Sequence, residues 1–248
     1  MKISIITVTY NSASTINDCL ASVKLQKYNH IEHIIVDGGS TDQTLSILKS
    51  NMEQIAVLVS EPDRGIYDAM NKGINIATGD IICFLNSDDF YASDDVFSKV
   101  VGVFNDNSSL EACYADLIYV DRVDTSKKKR YWKSTKFIPG LFAKGWCPPH
   151  PTFFALRSVY ERFGLFNLDY RLASDNEMMM RFLEVHKINV LHIPEVWIKM
   201  RLGGVTNKNL KNVFLQNVEI LSALRKNGLY LNPMSFFFHK IILRLKQR

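Results

Sequence analysis

The segment Ile-Ile-Cys-Phe-Leu-Asn-Ser-Asp-Asp, residues 81–89, joins a wholly apolar run to a polar turn. A short apolar run bounded by turn residues, such as Ile81 to Leu85, is typical of a strand that is buried in a sheet. Asn86 to Asp89 then places oxygen-bearing side chains at the carboxyl end of that strand. A strand of this kind is common in parallel sheets that helices cover on both faces.

Three similar strands precede this segment and alternate with helical patterns. The predicted strands are Ile3–Val8, Ile31–Val36 and Ile55–Val59, and the predicted helices are Thr15–Val23, Thr44–Leu48 and Ile66–Ile76. This alternation has the spacing of βαβ units. It predicts an α/β protein with a mostly parallel central sheet flanked by helices.

Each of the four strands ends in a polar turn. The turns are Thr9-Tyr-Asn11, Asp37-Gly-Gly-Ser40, Glu61-Pro-Asp-Arg64 and Asn86-Ser-Asp-Asp89. Ligands of parallel α/β sheets bind at the carboxyl ends of the strands. The sequence therefore predicts one ligand site that is built from all four turns.

The second half of the chain is less regular. It contains a predicted strand at Ala112–Val120 and predicted helices at Arg157–Phe163, Ser174–Val185 and Asn207–Lys226. The chain has no internal repeat and no clear linker. We therefore predict one domain over residues 1–205, followed by a helical extension over residues 206–248.

Composition excludes several classes of protein. The 248 residues are 47% hydrophobic and 22% charged, which is ordinary for a globular chain. Four separated cysteines without a CxxC pair argue against a zinc or disulfide framework and fit a cytoplasmic protein. No apolar run has the length of a transmembrane helix. The net charge is +5, but the cations are dispersed, so we expect no nucleic-acid partner.

Asp88 and Asp89 are the candidate metal ligands. Adjacent carboxylates at a strand end suit Mn²⁺ or Mg²⁺ bound to a diphosphate. The alternative is simple helix capping. Asp37 is a candidate acceptor for a base N–H, because the glycines after it allow a ligand close to the backbone. Arg64 lies in a loop from which it can reach a phosphate, close to Asp68 at the start of a helix.

Four further residues are candidates in the second half. Asp175 is at a predicted helix start, where it is either a cap or a general base, and Glu177 competes for the second role. His150 lies between prolines and is either structural or part of an acceptor or phosphate site. Arg201 precedes a Gly-Gly turn and is a candidate contact for a diphosphate.

The C-terminal segment 233–248 has the pattern of a basic amphipathic helix. Its apolar positions are Phe238, Ile241, Ile242 and Leu245, and its basic positions are Lys240, Arg244 and Arg248. Such helices lie in a membrane interface or pack on their own domain. We therefore expect either packing on the domain or contact with the inner face of the cytoplasmic membrane.

The ordered set of motifs resembles the family 2 glycosyltransferases, which have the GT-A fold. The set comprises Thr7-Val-Thr-Tyr-Asn11, Val36-Asp-Gly-Gly-Ser-Thr-Asp42, residues 61–73, Phe84-Leu-Asn-Ser-Asp-Asp89 and Ala173-Ser-Asp175. Pro148-Pro-His-Pro-Thr-Phe153 and Met200-Arg-Leu-Gly-Gly-Val205 resemble a bacterial branch that makes surface polysaccharides. The resemblance covers roughly residues 1–205.

This resemblance implies transfer of a sugar, with inversion, from a nucleotide-sugar donor, usually a UDP-sugar. Residues 1–105 would be the nucleotide-binding half and 106–205 the half that binds a saccharide acceptor, for which polyprenyl diphosphate is one expected carrier. Asp88 matches the metal-binding aspartate and Asp175 the catalytic base. Asn86 stands where the family often has an aspartate. The implied donor-binding positions are Thr9, Tyr10, Asn11, Asp37, Arg64, Asp68, Asn86, Ser87 and Asp88.

Two rival functions remain open from the sequence. A sugar-1-phosphate nucleotidyltransferase has a related sheet, but it should carry a glycine-rich basic loop after the first strand. Thr9-Tyr-Asn-Ser-Ala13 is not such a loop. The other rival is a non-catalytic module that binds nucleotide-sugars, against which the presence of both Asp88 and Asp175 argues.

Overall fold

The computed structural model describes residues 1–203, 210–229 and 232–246. Its first half alternates strands and helices as the sequence predicts. The elements are β1 (Ile3–Thr9), α1 (Ile16–Lys24), β2 (Ile31–Asp37), α2 (Thr44–Lys49), β3 (Val57–Ser60), α3 (Ile66–Ile76), β4 (Ile81–Phe84), β5 (Phe90–Tyr91) and α4 (Val96–Asp106).

The second half begins with a β-hairpin and ends with two helices. Its elements are β6 (Ala112–Val120), β7 (Lys128–Trp132), β8 (Phe154–Leu156), α5 (Arg157–Phe163), α6 (Ser174–Met180), β9 (Val190–Arg201), α7 (Leu210–Lys226) and α8 (Pro233–Lys246). A π-helical turn, Arg181–Val185, continues α6. Five elements of the two halves, α4, β5, β7, β8 and β9, are absent from the sequence-based prediction.

One sheet contains all nine strands in the order β3-β2-β1-β4-β8-β6-β9-β5, with β7 paired to β6. The pairs among β1, β2, β3 and β4 are parallel, and so is the long β6–β9 pair. The shorter pairs made by β5, β7 and β8 are antiparallel. The predicted α/β class with a mostly parallel sheet is therefore confirmed.

The sheet separates two hydrophobic cores, because successive strand residues point to opposite faces. Ile6 and Ile34 lie in the core beneath α3, whereas Ile5 and Ile35 lie in the core covered by α1 and α4. Every residue of β1 is buried. Burial on both faces explains why the N-terminal apolar segment is a central strand.

Gly73 lets α3 lie close against this sheet. A Cβ atom on Gly73 would be 2.4 Å from Cγ2 of Ile6, which is fully buried in β1. Adding a methyl group there would force a packed side chain to move. The glycine therefore fixes the distance between α3 and β1, and with it the position of the first turn of α3 at the carboxyl edge of the sheet.

The C-terminal helices share the main core. Ile220 and Leu224 of α7 and Phe236 of α8 are buried in the same cluster as β1 and β4. The predicted domain boundary at residues 205 and 206, the motif positions Gly204 and Val205, and Arg248 lie outside the described residues. In the described part of the chain, no helix is both long and apolar enough to cross a bilayer.

Candidate active site

Hydrogen bonds join the polar turns at the carboxyl edge of the sheet. The hydroxyls of Ser12 and Ser87 are 2.8 Å apart and link the turns after β1 and β4. The backbone N–H of Thr41 donates to Oδ1 of Asn11 at 2.9 Å, which links the turns after β1 and β2. Asn11 has a φ of 50°, a conformation that asparagine tolerates better than most residues. The predicted donor-binding positions Asn11 and Ser87 thus lie in connected turns.

The turn after β3 packs against the turn after β2. A Cβ atom on Gly38 would be 2.4 Å from Oδ2 of Asp63 and 3.6 Å from Cδ2 of Tyr10. Only glycine therefore allows these turns to meet. Tyr10 is 61% exposed, while Thr9 is buried and its Oγ1 has no hydrogen-bond partner among the described residues.

The Asp37 carboxylate is engaged within its own turn. Asp37 is fully buried, and its Oδ2 accepts hydrogen bonds from the Ser40 N–H at 3.1 Å and the Ser60 hydroxyl at 2.7 Å. Its Oδ1 accepts a hydrogen bond from the Ser40 hydroxyl. A carboxylate has about four acceptor positions, so these three bonds leave capacity for one further donor. Recognition of a base by Asp37 stays a prediction.

Arg64 and Asp68 form an exposed ion pair at the start of α3. Nη2 of Arg64 is 3.1 Å from Oδ1 of Asp68, and the Arg64 backbone N–H donates to Oδ2 at 3.0 Å. The backbone bond is the main cause that lowers the pKa of Asp68. Lys72 pairs with Glu61 at 2.7 Å. Exposed pairs of this kind contribute little stability, so Arg64 can exchange Asp68 for an anionic ligand at small cost.

Asp88 and Asp89 face different environments. Asp89 is fully buried, and its carboxylate accepts the Arg201 backbone N–H at 3.1 Å and the Asn86 amide at 3.0 Å. Burial, and then the charge of Asp88, raise the pKa of Asp89 well above its ordinary value. Asp88 is half-buried. Of the two predicted metal ligands, Asp88 is the one that reaches the open edge.

Arg201, at the end of β9, holds this turn in place. Its Nη1 donates to the carbonyl oxygen of Asp88 at 2.7 Å, and its Nη2 pairs with the carboxylate of Asp18. The guanidinium is buried over the ring of Phe90. Arg201 therefore holds the Asp88 turn through these contacts. Its contact with a diphosphate stays a prediction.

The environment of Asp88 suits a divalent cation that brings other ligands with it. Burial raises the pKa of the Asp88 carboxyl, against the charges of Arg122 and Arg201. A desolvated carboxylate gains from a nearby cation. Across residues 1–203, 210–229 and 232–246, no group of three His, Cys, Asp or Glu side chains could hold an ion by itself. Mg²⁺ commonly takes one or two carboxylates and completes its shell with phosphate oxygens and water.

Asp175 lies in the first turn of α6 and is held by Tyr67. The Tyr67 hydroxyl donates a hydrogen bond to Oδ1 of Asp175 at 2.9 Å. Tyr67 follows the turn after β3, so this bond brings Asp175 to the carboxyl edge of the sheet. The competing carboxylate, Glu177, is buried and paired with Arg181 at 3.0 Å. Asp175 therefore fits a proton acceptor better than Glu177 does.

His150 lies between Asp175 and β4. Its ring stacks on Phe84 with the centroids 5.2 Å apart. Burial lowers the pKa of His150, and the charge of Asp175 acts in the opposite direction. Its Nε2 is buried without a partner within the described ranges. Phe84 ends β4 four residues before Asp88, so this stack connects the group around Asp175 to the strand that leads into Asp88.

Sequence analysis missed three residues of this site. Tyr67 holds Asp175, Arg122 acts electrostatically on Asp88, and Asn71 exchanges two hydrogen bonds of 2.9 Å with the backbone of Phe166. The four-residue spacing of Tyr67 and Asn71 puts both on one face of α3. A polar pair on the buried face of a helix is the sequence signal that could have identified Tyr67 and Asn71.

Comparisons with known proteins show the family to which the chain belongs. The family model for glycosyl transferase family 2 matches residues 4–164. A PGL/p-HBAD biosynthesis glycosyltransferase of Mycobacterium tuberculosis is 29% identical over 89% of this chain and 85% of its own length. An uncharacterized glycosyltransferase of the same organism is 33% identical over 72% of this chain and 68% of its own.

Solved structures share the fold at low sequence identity. The mannosyltransferase PcManGT of Pyrobaculum calidifontis, in complex with GDP-Man and Mn²⁺, is 21% identical with a TM-score of 0.67, over 99% of this chain and 68% of that chain. S. aureus TarS 1–349 in complex with UDP-GlcNAc is 17% identical with a TM-score of 0.67, over 90% and 66%. Against a longer TarS chain the match covers 40% of that chain. The fold is the predicted GT-A fold, and because the family model matches more than half of its length, the chain belongs to glycosyl transferase family 2.

Proposed function

We propose that this glycosyltransferase moves a sugar from a nucleotide-sugar donor, most simply a UDP-sugar, to a saccharide acceptor with inversion of the anomeric carbon. The observation that carries the proposal is a series of contacts: Tyr67 holds Asp175, and His150, on which the charge of Asp175 acts, stacks on Phe84 at the end of β4. Asp88 follows Phe84 by four residues. A sugar bound between Asp88 and Asp175 would present one face to each carboxylate.

In this mechanism, Asp175 accepts the proton of the acceptor hydroxyl. The hydroxyl oxygen bonds to the anomeric carbon while the bond from that carbon to the diphosphate oxygen breaks. The electron pair of the broken bond leaves with the nucleoside diphosphate. Attack on the face opposite the diphosphate inverts the anomeric configuration. Holding both substrates in one orientation supplies a large part of the acceleration.

The donor would lie across the four connected turns. Asp37 would accept from the base, and Thr9 and Tyr10 would line the nucleoside site, where the Thr9 hydroxyl lacks a partner in the described part of the chain. Asn86 would stand near the ribose, and exposed Arg64 would reach the phosphates. The other proposed donor contacts are Asn11, Asp68 and Ser87.

Asp88, supported by the adjacent Asp89, would hold a divalent cation such as Mn²⁺ or Mg²⁺. When bound, such an ion offsets negative charge on the departing diphosphate. Asp89 supports the turn through its bond to the Arg201 backbone N–H. The Mn²⁺ complex of PcManGT supports this choice of ion.

A thermal-shift screen tests donor binding. We expect one of UDP-GlcNAc, UDP-glucose, UDP-galactose and GDP-mannose, each with MnCl₂, to raise the unfolding temperature by about 5 °C or more at saturation. Uridine with MnCl₂, and each nucleotide-sugar with EDTA, serve as controls and should give smaller shifts. Absence of any shift would contradict the proposal. Stabilisation by nucleoside triphosphates alone would favour the nucleotidyltransferase alternative.

The acceptor we propose is a lipid-linked saccharide, used in cell-surface polysaccharide synthesis at the inner face of the cytoplasmic membrane. The support comes from α8, where Phe238 is 63% exposed and Ile241 is 60% exposed, although Phe236 of the same helix is buried. Exposed apolar residues on a basic helix are typical of interfacial membrane contact.

Replacing Phe238 and Ile241 together by aspartate should weaken binding to vesicles of phosphatidylglycerol and phosphatidylcholine by about tenfold or more, because two apolar side chains no longer enter the interface. Co-sedimentation of the full chain measures this. The control is Val123→Asp, which changes a side chain that is 91% exposed on the β6–β7 hairpin. Equal sedimentation of the double variant and the wild type would contradict membrane contact through α8.

A further inference from the structure

The helix α3 carries the segment that leads into Asp175. Asn71 donates its amide to the carbonyl of Phe166 and accepts the Phe166 N–H, both at 2.9 Å. The rings of Tyr67 and Phe166 stack with centroids 5.4 Å apart. Ser174 donates its hydroxyl to the carbonyl of Asn167 at 2.8 Å. The approach to α6 is therefore tied to α3 before Asp175 is reached.

Tyr67 is a permanent hydrogen-bond donor in this position. Burial, followed by the charge of Asp175, raises the pKa of Tyr67 well above its ordinary value. The hydroxyl thus keeps its proton throughout the range in which enzymes work. Within that range the hydroxyl can lose its hydrogen bond to Asp175, but it does not lose its proton.

We propose that Tyr67 is a positioning residue for the catalytic base: it holds Oδ1 of Asp175, so that Oδ2 is the oxygen that accepts the proton of the acceptor hydroxyl. This inference rests on the proposed function and adds a residue to it. A carboxylate at a helix start can rotate about its side-chain bonds, and a fixed hydrogen bond to one oxygen removes that freedom.

Other titratable groups near Asp175 do not take over its role as proton acceptor in the pH range in which enzymes work. Burial raises the pKa of the Cys147 thiol and lowers the pKa of His150, so both stay neutral. Glu219 of α7 accepts the backbone N–H groups of Arg171 and Leu172 at 3.0 and 2.8 Å. An effect on kcat that depends on the Tyr67 hydroxyl would therefore report on Asp175.

Tyr67→Phe removes this hydroxyl and keeps the ring. Without this bond Oδ1 of Asp175 is no longer fixed, so the carboxylate is less often in the orientation that accepts the proton. We expect kcat to fall about tenfold, while KM for the donor changes less than twofold. A loss of packing alone would lower the amount of folded protein without changing kcat per folded enzyme.

Tyr160→Phe is the matched control. The Tyr160 ring belongs to the same aromatic cluster, 6.4 Å from Phe84, and its hydroxyl is buried without a partner among the described residues. Removing a buried hydroxyl that makes no bond is expected to be neutral or stabilising. This variant should keep the wild-type kcat and KM.

The test measures UDP release from UDP-GlcNAc, and GDP release from GDP-mannose, with MnCl₂ and water as acceptor. Values of kcat and KM for Tyr67→Phe that equal those of Tyr160→Phe would overturn the proposal. Unfolding temperatures of Tyr67→Phe, Asp175→Ala and the double variant test the same bond without a donor, because alanine removes the acceptor and residues in contact show non-additive losses. Fully additive losses would also overturn it. Failure of the proposed function itself would instead appear as full turnover by Asp175→Asn.

Discussion

Asp175→Asn is expected to lower turnover by about 10²-fold or more while donor binding is unchanged, which is the usual scale for losing a positioned general base. Asparagine keeps the shape of aspartate and can still meet the Tyr67 hydroxyl, but it cannot accept a proton from the acceptor. The measurement combines the rate of nucleotide release with the donor-induced thermal shift.

The control for this variant is Asp169→Asn. Asp169 is an exposed carboxylate a few residues before α6, and Nζ of Lys226 is 3.7 Å from its Oδ2. Its replacement removes one negative charge from the same region and should leave turnover within about twofold of the wild type, as expected for an exposed pair. Unchanged turnover in Asp175→Asn would remove Asp175 from the mechanism and reopen the case for a non-catalytic binding module.

Asp88→Asn is expected to lower turnover by about 10²–10³-fold, the range seen when an electrostatic stabiliser of developing charge is lost. It should also abolish the metal-dependent part of the donor-induced thermal shift. Both effects follow if this carboxylate is the one that a divalent cation meets at the open edge.

The same substitution should not lower stability in the absence of metal. Because burial raises the folded-state pKa of Asp88 above its unfolded value, ionisation of this carboxyl disfavours folding as pH rises through that range. At pH 7 a neutral amide removes this cost, so the unfolding temperature should equal or exceed that of the wild type. Thermal unfolding with EDTA measures it.

Asp94→Asn is the control for Asp88→Asn, since Asp94 is an exposed carboxylate paired with Lys27 at 2.9 Å. It should change neither turnover nor the metal effect. Full turnover by Asp88→Asn, or a metal-dependent shift that persists in it, would exclude Asp88 as the carboxylate that binds the cation.

The sequence predicts the regular part of the fold well. The bounds of α3 and β6 match the prediction at both ends, because the apolar positions of each repeat with a single period and the flanking residues end it. The third strand begins at Val57 rather than Ile55, because Met52–Gln54 forms a helical turn and Ile55 closes it.

Other elements could not be predicted from local pattern. β9 contains His192, Pro194 and Glu195, which interrupt any apolar alternation, and its pairing with β6 includes register shifts near Asp116. It is a strand because β6 offers a partner along its whole length, which is a tertiary effect.

The candidate site shows the same limit. The four polar turns were expected at one edge, and Ser12, Ser87 and Asn11 join them there. That Asp89 turns inward while Asp88 does not depends on Arg201, 112 residues later in the chain. Tyr67 and Asp175 are likewise 108 residues apart, so local sequence can mark each residue but cannot pair them.

The central claim is that Asp88 and Asp175 face one bound donor. A crystal structure of Asp175→Asn, grown with MnCl₂ and whichever nucleotide-sugar stabilises the protein most, tests it directly. We predict that the diphosphate lies at Asp88 and that the side chain at position 175 lies across the anomeric carbon from it, with room for an acceptor hydroxyl between them. A donor bound at another edge of the sheet, or protein packed between the sugar and position 175, would contradict the account.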